Sequence, residues 1–303
     1  MTFVKPTASI VIPTYNRGKV LGRAIESVAN QTFKDFEIII VDDCSTDETK
    51  KLIDEFEDPR ITYIKHKNNR GGAAARNTGI KAARGDFIAF QDSDAEWMPD
   101  KLEKQMNVFL SAKDDVNVVY TAFLWIKDNH KSYIPAKGQA HKEGDVLHQL
   151  LKRNFVDTAT AVVRKKCFDK VGLFDEGLPR YQDWDLFIRL ARHYHFKFVD
   201  EPLVISHFMA DSISADNKAA ITARKIIFEK NRSEIMEDRK LLSQFMFDTG
   251  TLICKFGQYD EGRKYLSQAL KADHMNPQHW PAILVSLFGQ RAYLAASRIT
   301  SRI

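Results

Sequence analysis

Cysteine is scarce in this chain. Only three of its 303 residues are cysteines, and these three, Cys44, Cys167 and Cys254, lie far apart in the sequence. An odd number at these spacings excludes a disulfide framework and matches no zinc-binding pattern. We therefore expect the protein to reside in a reducing compartment, the cytoplasm.

Long apolar segments are lacking as well. Residues 1–6 have no apolar core of the kind that marks a signal peptide. Apolar runs such as 282–285 fall far short of the roughly 20 residues that span a bilayer, so we expect no transmembrane helix. The formal net charge of +5 is mildly basic. It permits an anionic substrate or membrane surface but gives no support for nucleic-acid binding.

Two common phosphate-binding loops are absent from the sequence. The turn after the first predicted strand contains no G-x-G-x-x-G, and the pair Gly71-Gly72 follows the third strand instead. No G-x-x-x-x-G-K-[ST] segment occurs either. The sequence therefore argues against a dinucleotide-binding fold and against a P-loop protein.

The first 90 residues alternate between short apolar runs and segments of helical periodicity. This alternation predicts a three-layer α/β fold with a parallel sheet and right-handed crossovers. The predicted strands are 9–12, 36–41, 61–64 and 87–90, with helices that begin near residues 20, 48 and 73. Further along, we predict a helix at 100–110, strands at 116–120, 158–163 and 196–199, and an irregular polar segment at 121–145.

Polar residues follow each of the first four predicted strands. They are Thr14 to Arg17, Asp42 with Asp43, Asn69 to Arg76, and Asp92 with Asp94. Because ligands bind beyond the carboxyl ends of parallel strands, these residues predict a nucleotide site at that edge. If strand alternation continues past Phe90, Asp92 and Asp94 point to one side and can share a divalent cation that clamps a diphosphate. Taken alone, the two carboxylates are also typical of turn and capping residues.

Five segments, in this order, resemble the signatures of the family-2 glycosyltransferases. They are Pro13–Asn16, Val41–Asp47, Gly72–Gly79, Asp92–Asp94 and Gln182–Leu186, within roughly residues 7–210. The resemblance implies the GT-A fold, a Rossmann-like three-layer sandwich with a mainly parallel sheet. It also implies a nucleotide-diphosphate sugar donor, a divalent metal ion (Mn²⁺ or Mg²⁺), and transfer with inversion at the anomeric carbon.

The same resemblance assigns roles on the donor side. Asp94 would bind the metal directly, and Asp92 would face the ribose or the cation. Asp43, with Asp42 nearby, would recognise the nucleotide base, and a carboxylate that accepts from a ring N–H fits uracil. His207 would complete the metal shell or touch the diphosphate. The rest of the donor pocket would comprise Pro13, Thr14, Tyr15, Arg17, Asn69, Arg76 and Ser93.

Asp183 matches the catalytic carboxylate of the family's acidic pair, which is commonly Glu-Asp. As the general base it would take the proton of the acceptor hydroxyl. Gln182 replaces the first member of the pair, which removes a negative charge that would otherwise raise the pKa of the base. The position also suits a helix cap. We expect Asp185 to be structural or to face the acceptor, and Asp175 to meet the acceptor or to form a turn.

The C-terminal part, residues 215–303, is predicted to be a helical extension of a catalytic domain formed by residues 1–214. Its segment 257–270 resembles part of one tetratricopeptide unit, which predicts a helical hairpin because a single repeat cannot form a solenoid. Beyond Asp273, arginines alternate with aromatic and aliphatic residues. This pattern fits a tail that lies on an anionic membrane, and equally an internal packing or dimer helix.

Together these features predict a metal-dependent inverting glycosyltransferase. The donor would be a UDP-sugar, and the acceptor a hydroxyl of a glycan or a lipid-linked sugar in cell-surface or exopolysaccharide assembly, on analogy with the family. The enzyme would be cytoplasmic, with peripheral membrane contact through its tail. Two alternatives stay open at this point. One is a nucleotidyltransferase, which also uses paired carboxylates, and the other is a non-catalytic nucleotide-sugar-binding protein.

Overall fold

The computed structural model describes residues 5–112, 116–127, 130–135, 143–207, 216–277 and 279–287. The chain divides into two compact units. The first unit, which we call the sheet unit, comprises residues 1–150, 154–177 and 182–212. The second, the helical unit, comprises residues 213–303 together with two short earlier segments, 151–153 and 178–181.

The sheet unit is built on one mixed sheet. Its nine described strands are β1 (Ala8–Thr14), β2 (Phe36–Asp42), β3 (Ile61–Lys65), β4 (Phe87–Phe90), β5 (Ala95–Trp97), β6 (Val116–Lys127), β7 (His130–Ile134), β8 (Val162–Arg164) and β9 (His195–His207). The strand order is β3-β2-β1-β4-β8-β6-β9-β5, with β7 paired to β6. The four strands from β3 to β4 are parallel, whereas β8 runs antiparallel to both β4 and β6.

Seven helices accompany the sheet in the described residues. They are α1 (Leu21–Ala29), α2 (Thr49–Asp54), α3 (Gly72–Ala82), α4 (Lys101–Ser111), α5 (Leu147–Lys152), α6 (Cys167–Val171) and α7 (Gln182–Ala191). Helix α3 packs closely on β1, since a Cβ atom at Gly79 would lie 2.3 Å from a methyl group of Val11. Strands β1 and β2 are buried along their whole length, which explains why they read as continuous apolar runs.

The predicted α/β fold is confirmed, and two local predictions are wrong. Residues 121–145 are not irregular throughout, because β6 extends to Lys127 and forms a hairpin with β7. The first three residues of β7 are exposed, so polar side chains are tolerated there. The predicted strand at 158–163 begins instead with a 3-10 turn, Thr158–Thr160. Asp157 causes this turn by accepting a hydrogen bond from the N–H of Ala159.

A lysine lies inside the sheet unit. Lys101, the first residue of α4, is 0% exposed. Its Nζ atom donates to Gln105 Oε1 at 2.7 Å and lies 3.8 Å from the centroid of the Trp97 ring. Because burial disfavours the charged form, the pKa of Lys101 lies well below its ordinary value.

The described residues of the helical unit form five helices of its own. They are α8 (Asn217–Lys230), α9 (Arg232–Glu237), α10 (Arg239–Lys255), α11 (Tyr259–Ala272) and α12 (His279–Ser286). Helices α10 and α11 approach closely at Gly250 and Gly262, where a Cβ atom on Gly262 would lie 2.3 Å from Cys254 Sγ. The helical character of this region is therefore as predicted, whereas most of the predicted membrane tail, residues 288–303, lies outside the described residues.

Two further expectations can be compared with the structure. Within the described residues, no helix combines the length and the apolar character that crossing a membrane requires. All three cysteines are free thiols, with Cys44 partly exposed and the other two buried.

Candidate active site

The site begins at the loop after β1, which is held against the loop after β2. Asn16 adopts a left-handed backbone conformation with φ of 52°. Its Oδ1 atom accepts a hydrogen bond from the N–H of Thr46 at 2.9 Å, and its own N–H donates to Ser45 Oγ at 2.8 Å. The neighbouring Tyr15 is 45% exposed. The loop therefore holds its backbone firmly and presents an aromatic ring to solvent.

Asp42, the last residue of β2, is fully buried. One carboxylate oxygen accepts from the N–H of Ser45 at 2.7 Å, and the other accepts from the hydroxyl of Tyr63 at 2.6 Å. Burial, followed by the hydrogen bond to Asp42, raises the pKa of Tyr63 above its ordinary value. Asp42 thus ties β2 to β3 and to the loop before α2.

Asp43 holds the loop that leads into α3. Its carboxylate forms hydrogen bonds with His66 Nδ1 at 2.7 Å, the N–H of Arg70 at 2.9 Å and the N–H of Gly71 at 2.6 Å. Asn69, on the same loop, is exposed. Asp43 therefore shapes the loop that carries Asn69. This role was not predicted, and it is separate from the predicted recognition of the nucleotide base.

Arg76, on α3, is the cation at the centre of the site. Its Nη2 atom donates to Asp92 Oδ1 at 2.5 Å, and its side chain is only 14% exposed. Its positive charge also lowers the pKa values of Asp94, Asp157 and Asp183, although other influences outweigh it in each case. One guanidinium thus lies close enough to four carboxylates to influence them all.

Asp92, Ser93 and Asp94 form a turn directly after β4. The N–H of Ala95 donates to the carbonyl oxygen of Asp92 at 3.1 Å, so the expectation that strand alternation continues past Phe90 is wrong. The turn nevertheless keeps the two carboxylates within electrostatic reach of each other. Burial, and then the charge of Asp92, raise the pKa of Asp94, whereas Arg17 and Arg76 oppose that rise.

His207 ends β9, on the strand that pairs with β5. Strands β5 and β9 are antiparallel, and Ala95 pairs with Ser206. Asp94, which precedes Ala95, and His207, which follows Ser206, are therefore at the same end of this strand pair. The Nε2 atom of His207 lies 2.9 Å from Glu96 Oε1, and Glu96 also pairs with Arg23 at 3.1 Å. His207 is therefore near the Asp94 turn, while its Nε2 contacts a carboxylate. Its role toward a metal ion stays a prediction.

Asp183 lies in the first turn of α7 and is partly buried. The Nδ2 atom of Asn154 donates to Asp183 Oδ2 at 2.7 Å. Burial raises the pKa of Asp183, and the opposing influences are a backbone N–H, Arg76 and Asn154. Asp185, two residues on, is almost fully buried and pairs with Arg189 at 2.9 Å, which is a structural contact.

Asp157 is a fourth carboxylate near Arg76. Desolvation, and then the charges of Asp92 and Asp183, raise the pKa of Asp157 to about 7. Such a carboxyl group exchanges protons near neutral pH, which is typical of functional sites. Its Oδ1 atom accepts from the N–H of Ala159 at 2.9 Å, so its position is fixed.

Two buried polar atoms at the site have no hydrogen-bond partner among the described residues. They are Thr14 Oγ1, at the end of β1, and Arg76 Nε. Buried polar groups are nearly always paired, and an exception points to a missing water or ligand. Both atoms belong to residues that the sequence predicts for the donor pocket.

The model of the family described as "Glycosyl transferase family 2" matches residues 9–172, more than half of the chain. The protein belongs to that family. As a glycosyltransferase it transfers sugars, which sets aside the nucleotidyltransferase alternative. The match includes the turn with Asp92 and Asp94, the Arg76 helix and Asp157, and it ends before α7.

Curated relatives of this glycosyltransferase carry the same assignment. An uncharacterized glycosyltransferase of Methanocaldococcus jannaschii is 34% identical over 205 residues, which are 66% of this chain and 70% of the relative. WcaA of Escherichia coli, named as a glycosyl transferase of colanic acid biosynthesis, is 37% identical over 62% of this chain and 67% of its own length. Some relatives are much longer, and only 32% of one from Rickettsia felis is matched.

Solved structures show the GT-A fold of the glycosyltransferase. TarS residues 1–349 of S. aureus, in complex with UDP-GlcNAc, gives a TM-score of 0.65 at 15% identity, covering 95% of this chain and 92% of that one. The mannosyltransferase PcManGT from Pyrobaculum calidifontis, in complex with GDP-Man and Mn²⁺, gives 0.63 at 16% identity, covering 98% and 87%.

The donor set of the glycosyltransferase fits a divalent cation that is shared with a substrate. Among the described residues no group of three or more His, Cys, Asp or Glu side chains is arranged to hold a metal ion. A closed protein cage is not required, since Mg²⁺ is usually bound by one or two carboxylates together with substrate phosphates. Burial, and then the negative charge of Asp92, raise the pKa of Asp94, and a bound cation would favour its ionised form.

Three neighbours of the predicted site residues carry no sequence signal that could have identified them. Asn154 and Asp157 lie outside every motif, and Glu96 becomes relevant only because β5 pairs with β9. A fourth, Asn77, follows Arg76 within a motif. Its side chain forms hydrogen bonds with both the N–H and the carbonyl of Phe174 at 2.9 Å. It thereby holds the 172–176 segment to α3.

Proposed function

We propose that the protein is a metal-dependent inverting glycosyltransferase with Asp183 as its general base. The observation that carries this proposal is the convergence of Asp92, Asp94, Asp157 and Asp183 around Arg76. The reaction has two requirements. A carboxylate with a raised pKa, such as Asp183, can accept a proton. The pair Asp92 and Asp94 at the end of β4 can bind a cation together with a diphosphate.

The reaction is an in-line displacement at the anomeric carbon. Asp183 accepts the proton of the acceptor hydroxyl as its oxygen forms the new bond to the sugar, and the bond between the sugar and the diphosphate breaks on the opposite face. Asn154 donates to Asp183 Oδ2 and thereby orients the carboxylate. A divalent ion held by Asp94 and Asp92 would supply positive charge for the leaving diphosphate.

A cation is needed because the protein's own charges do not favour a diphosphate. Among the described residues, the four carboxylates are influenced by two guanidiniums, those of Arg17 and Arg76. We propose Mn²⁺ or Mg²⁺ for this place and a UDP-sugar as the donor. Asp43 with Asp42, Pro13, Thr14, Tyr15, Asn69 and Ser93 would form the remainder of the nucleotide pocket. The unpaired Thr14 Oγ1 and Arg76 Nε support a bound polar ligand there.

A thermal-shift screen of UDP- and GDP-sugars with and without Mn²⁺ tests the donor and metal together. A ligand at 100 times its Kd stabilises the fold by about 2.7 kcal/mol, which raises Tm by roughly 5–10 °C for a protein of this size. We expect that rise only with UDP-sugars and metal together. Asp94→Ala should abolish it, and Asp100→Ala, on the surface, should not. Equal stabilisation of Asp94→Ala would reject this metal site.

The acceptor is proposed to be a glycan or a lipid-linked sugar in cell-surface or exopolysaccharide assembly. The similarity to WcaA, named for colanic acid biosynthesis, supports this class. We further propose cytoplasmic residence with peripheral membrane contact, since Trp280 and Leu284 on α12 are more than half exposed. Co-sedimentation with anionic vesicles should weaken for Trp280→Ser with Leu284→Ser. Unchanged sedimentation would reject the membrane contact.

A further inference from the structure

Two short segments of the chain pack with the helices although their neighbours in sequence belong to the sheet unit. Residues 151–153 and 178–181 are part of the helical unit. The first segment is followed directly by Asn154, and the second by Gln182 and Asp183. The chain therefore passes from the helical unit into the sheet unit at the 153–154 and 181–182 peptide bonds. Asn154 is the first residue after one of these bonds and Asp183 the second residue after the other, and the two share a hydrogen bond.

The segment 178–181 is attached to the beginning of α8. Arg180 Nη1 donates to the carbonyl oxygen of Asp216 at 3.1 Å. Asp216 is the N-cap of α8, and its side chain accepts from the N–H of Ala219 at 3.0 Å. The Arg180 guanidinium also lies 4.8 Å from the centroid of the Tyr181 ring, and Leu178 is buried. Arg180 thus connects this segment to a capped helix terminus.

In the segment 151–153, Arg153 lies within electrostatic reach of charged side chains on α8 and α10. Arg153 is among the cations that oppose the rise in the pKa of Asp248, a rise caused mainly by burial. Asp248 is held by Gln244 Nε2 at 2.9 Å. Arg224, the other cation near Asp248, donates from Nε to Thr249 Oγ1 at 3.0 Å. Asp248 and Arg224 are therefore fixed, so Arg153 interacts with a rigid partner.

Tyr181 has an unusual backbone conformation directly before α7. Its φ is 60°, a left-handed value that bulky residues rarely adopt. Such a conformation is strained and persists only where the surroundings impose it, frequently at functional sites. Here the residue that takes it lies two positions before Asp183. A rotation at this residue changes the direction in which α7 starts.

We propose that the helical unit positions Asp183, with Arg180 as the positioning residue. The chain enters the sheet unit from the helical unit at 153–154 and at 181–182. The Asn154–Asp183 hydrogen bond joins the first residue after one of these junctions to the second residue after the other. This inference deepens the proposed function, because it rests on Asp183 being the base.

The test compares Arg180→Ala with Arg180→Lys and with Glu261→Gln, in the full chain. Glu261→Gln removes an ion pair with Lys225 on α8, so it is a matched control in the same unit. Arg180→Ala should lower kcat about 10-fold, because small displacements of catalytic groups cost that much or more. KM for the donor should stay within twofold, since the donor groups lie on β1, β2, α3 and the β4 turn. Arg180→Lys should recover part of the loss.

A second readout does not depend on catalysis. Amide hydrogen exchange of the peptides 153–158 and 181–187 should accelerate in Arg180→Ala and stay unchanged in Glu261→Gln. Exchange and kcat in Arg180→Ala that match those of Glu261→Gln would overturn the proposal. Full activity of Asp183→Asn would reject the base assignment. In that case the hydrogen-exchange measurement alone would decide whether the helical unit positions Asp183.

Discussion

The two ends of the active site use the same side chain in opposite ways. At the β2 end, Asp42 and Asp43 are buried and accept at least two and three hydrogen bonds, respectively, from the surrounding protein. At the α7 end, Asp157 and Asp183 are also desolvated, and the negative charge of Asp92 adds to the rise in the pKa of each. A neighbouring negative charge favours the protonated form of a buried carboxyl group. The two ends therefore differ in what surrounds the aspartates, which is hydrogen-bond donors that hold loops at the β2 end and another carboxylate at the α7 end.

Among substitutions that test this contrast, the largest effect on activity is expected at Asp183. Asp183→Asn keeps the size and one hydrogen-bond acceptor but removes the base, so kcat should fall by about 10²–10⁴, the usual contribution of a general base. Donor affinity by calorimetry and Tm should change little. In the wild-type enzyme, kcat should decline as the pH falls through the raised pKa of Asp183, because protonation removes the base. Activity of Asp183→Asn within threefold of wild type would contradict the assignment.

A loss of stability is expected at the β2 end instead. Asp43→Ala leaves two backbone N–H groups and His66 without their acceptor, so the free energy of unfolding should drop by about 2–4 kcal/mol. Urea denaturation monitored by circular dichroism measures this change. Asp54→Ala, which removes only an exposed pair with Lys50, is the control and should cost less than about 1 kcal/mol. Similar losses in both variants would mean that Asp43 does not hold its loop.

The smallest effect is expected at Asp157 and has the opposite sign. Its folded pKa is raised to about 7, so its contribution to stability declines as the pH rises from the ordinary range of an aspartate towards 7. Asp157→Asn retains the capping of Ala159 and removes that penalty. The variant should therefore be more stable than wild type at pH 8, and about equal to it near pH 4. Exposed Asp169→Asn should show no such pH dependence. A constant difference across this range would refute the raised pKa.

The sequence predicted the parallel half of the sheet well because β1 and β2 are buried along their whole length and β4 is nearly so. Strand β4 was predicted with its bounds, Phe87–Phe90, and its polar end identified Asp92 and Asp94. Prediction failed where the strand is largely exposed, as in β7, whose first three residues are exposed and polar. It also failed for Asp157, since the properties of this residue depend on Asp92 and Asp183, which are distant in sequence. No local pattern contains that information.

The buried Lys101 provides a chemical probe of the sheet unit. An amine-reactive acylating reagent modifies exposed lysines, but it can reach Nζ of Lys101 only when α4 separates from Trp97 and Gln105. Once exposed, this amine would recover its ordinary pKa and its charge, which disfavours return to the core. Labelling at Lys101, read by mass spectrometry against exposed Lys51, therefore counts opening events of the core. A donor that binds the closed enzyme should slow that labelling.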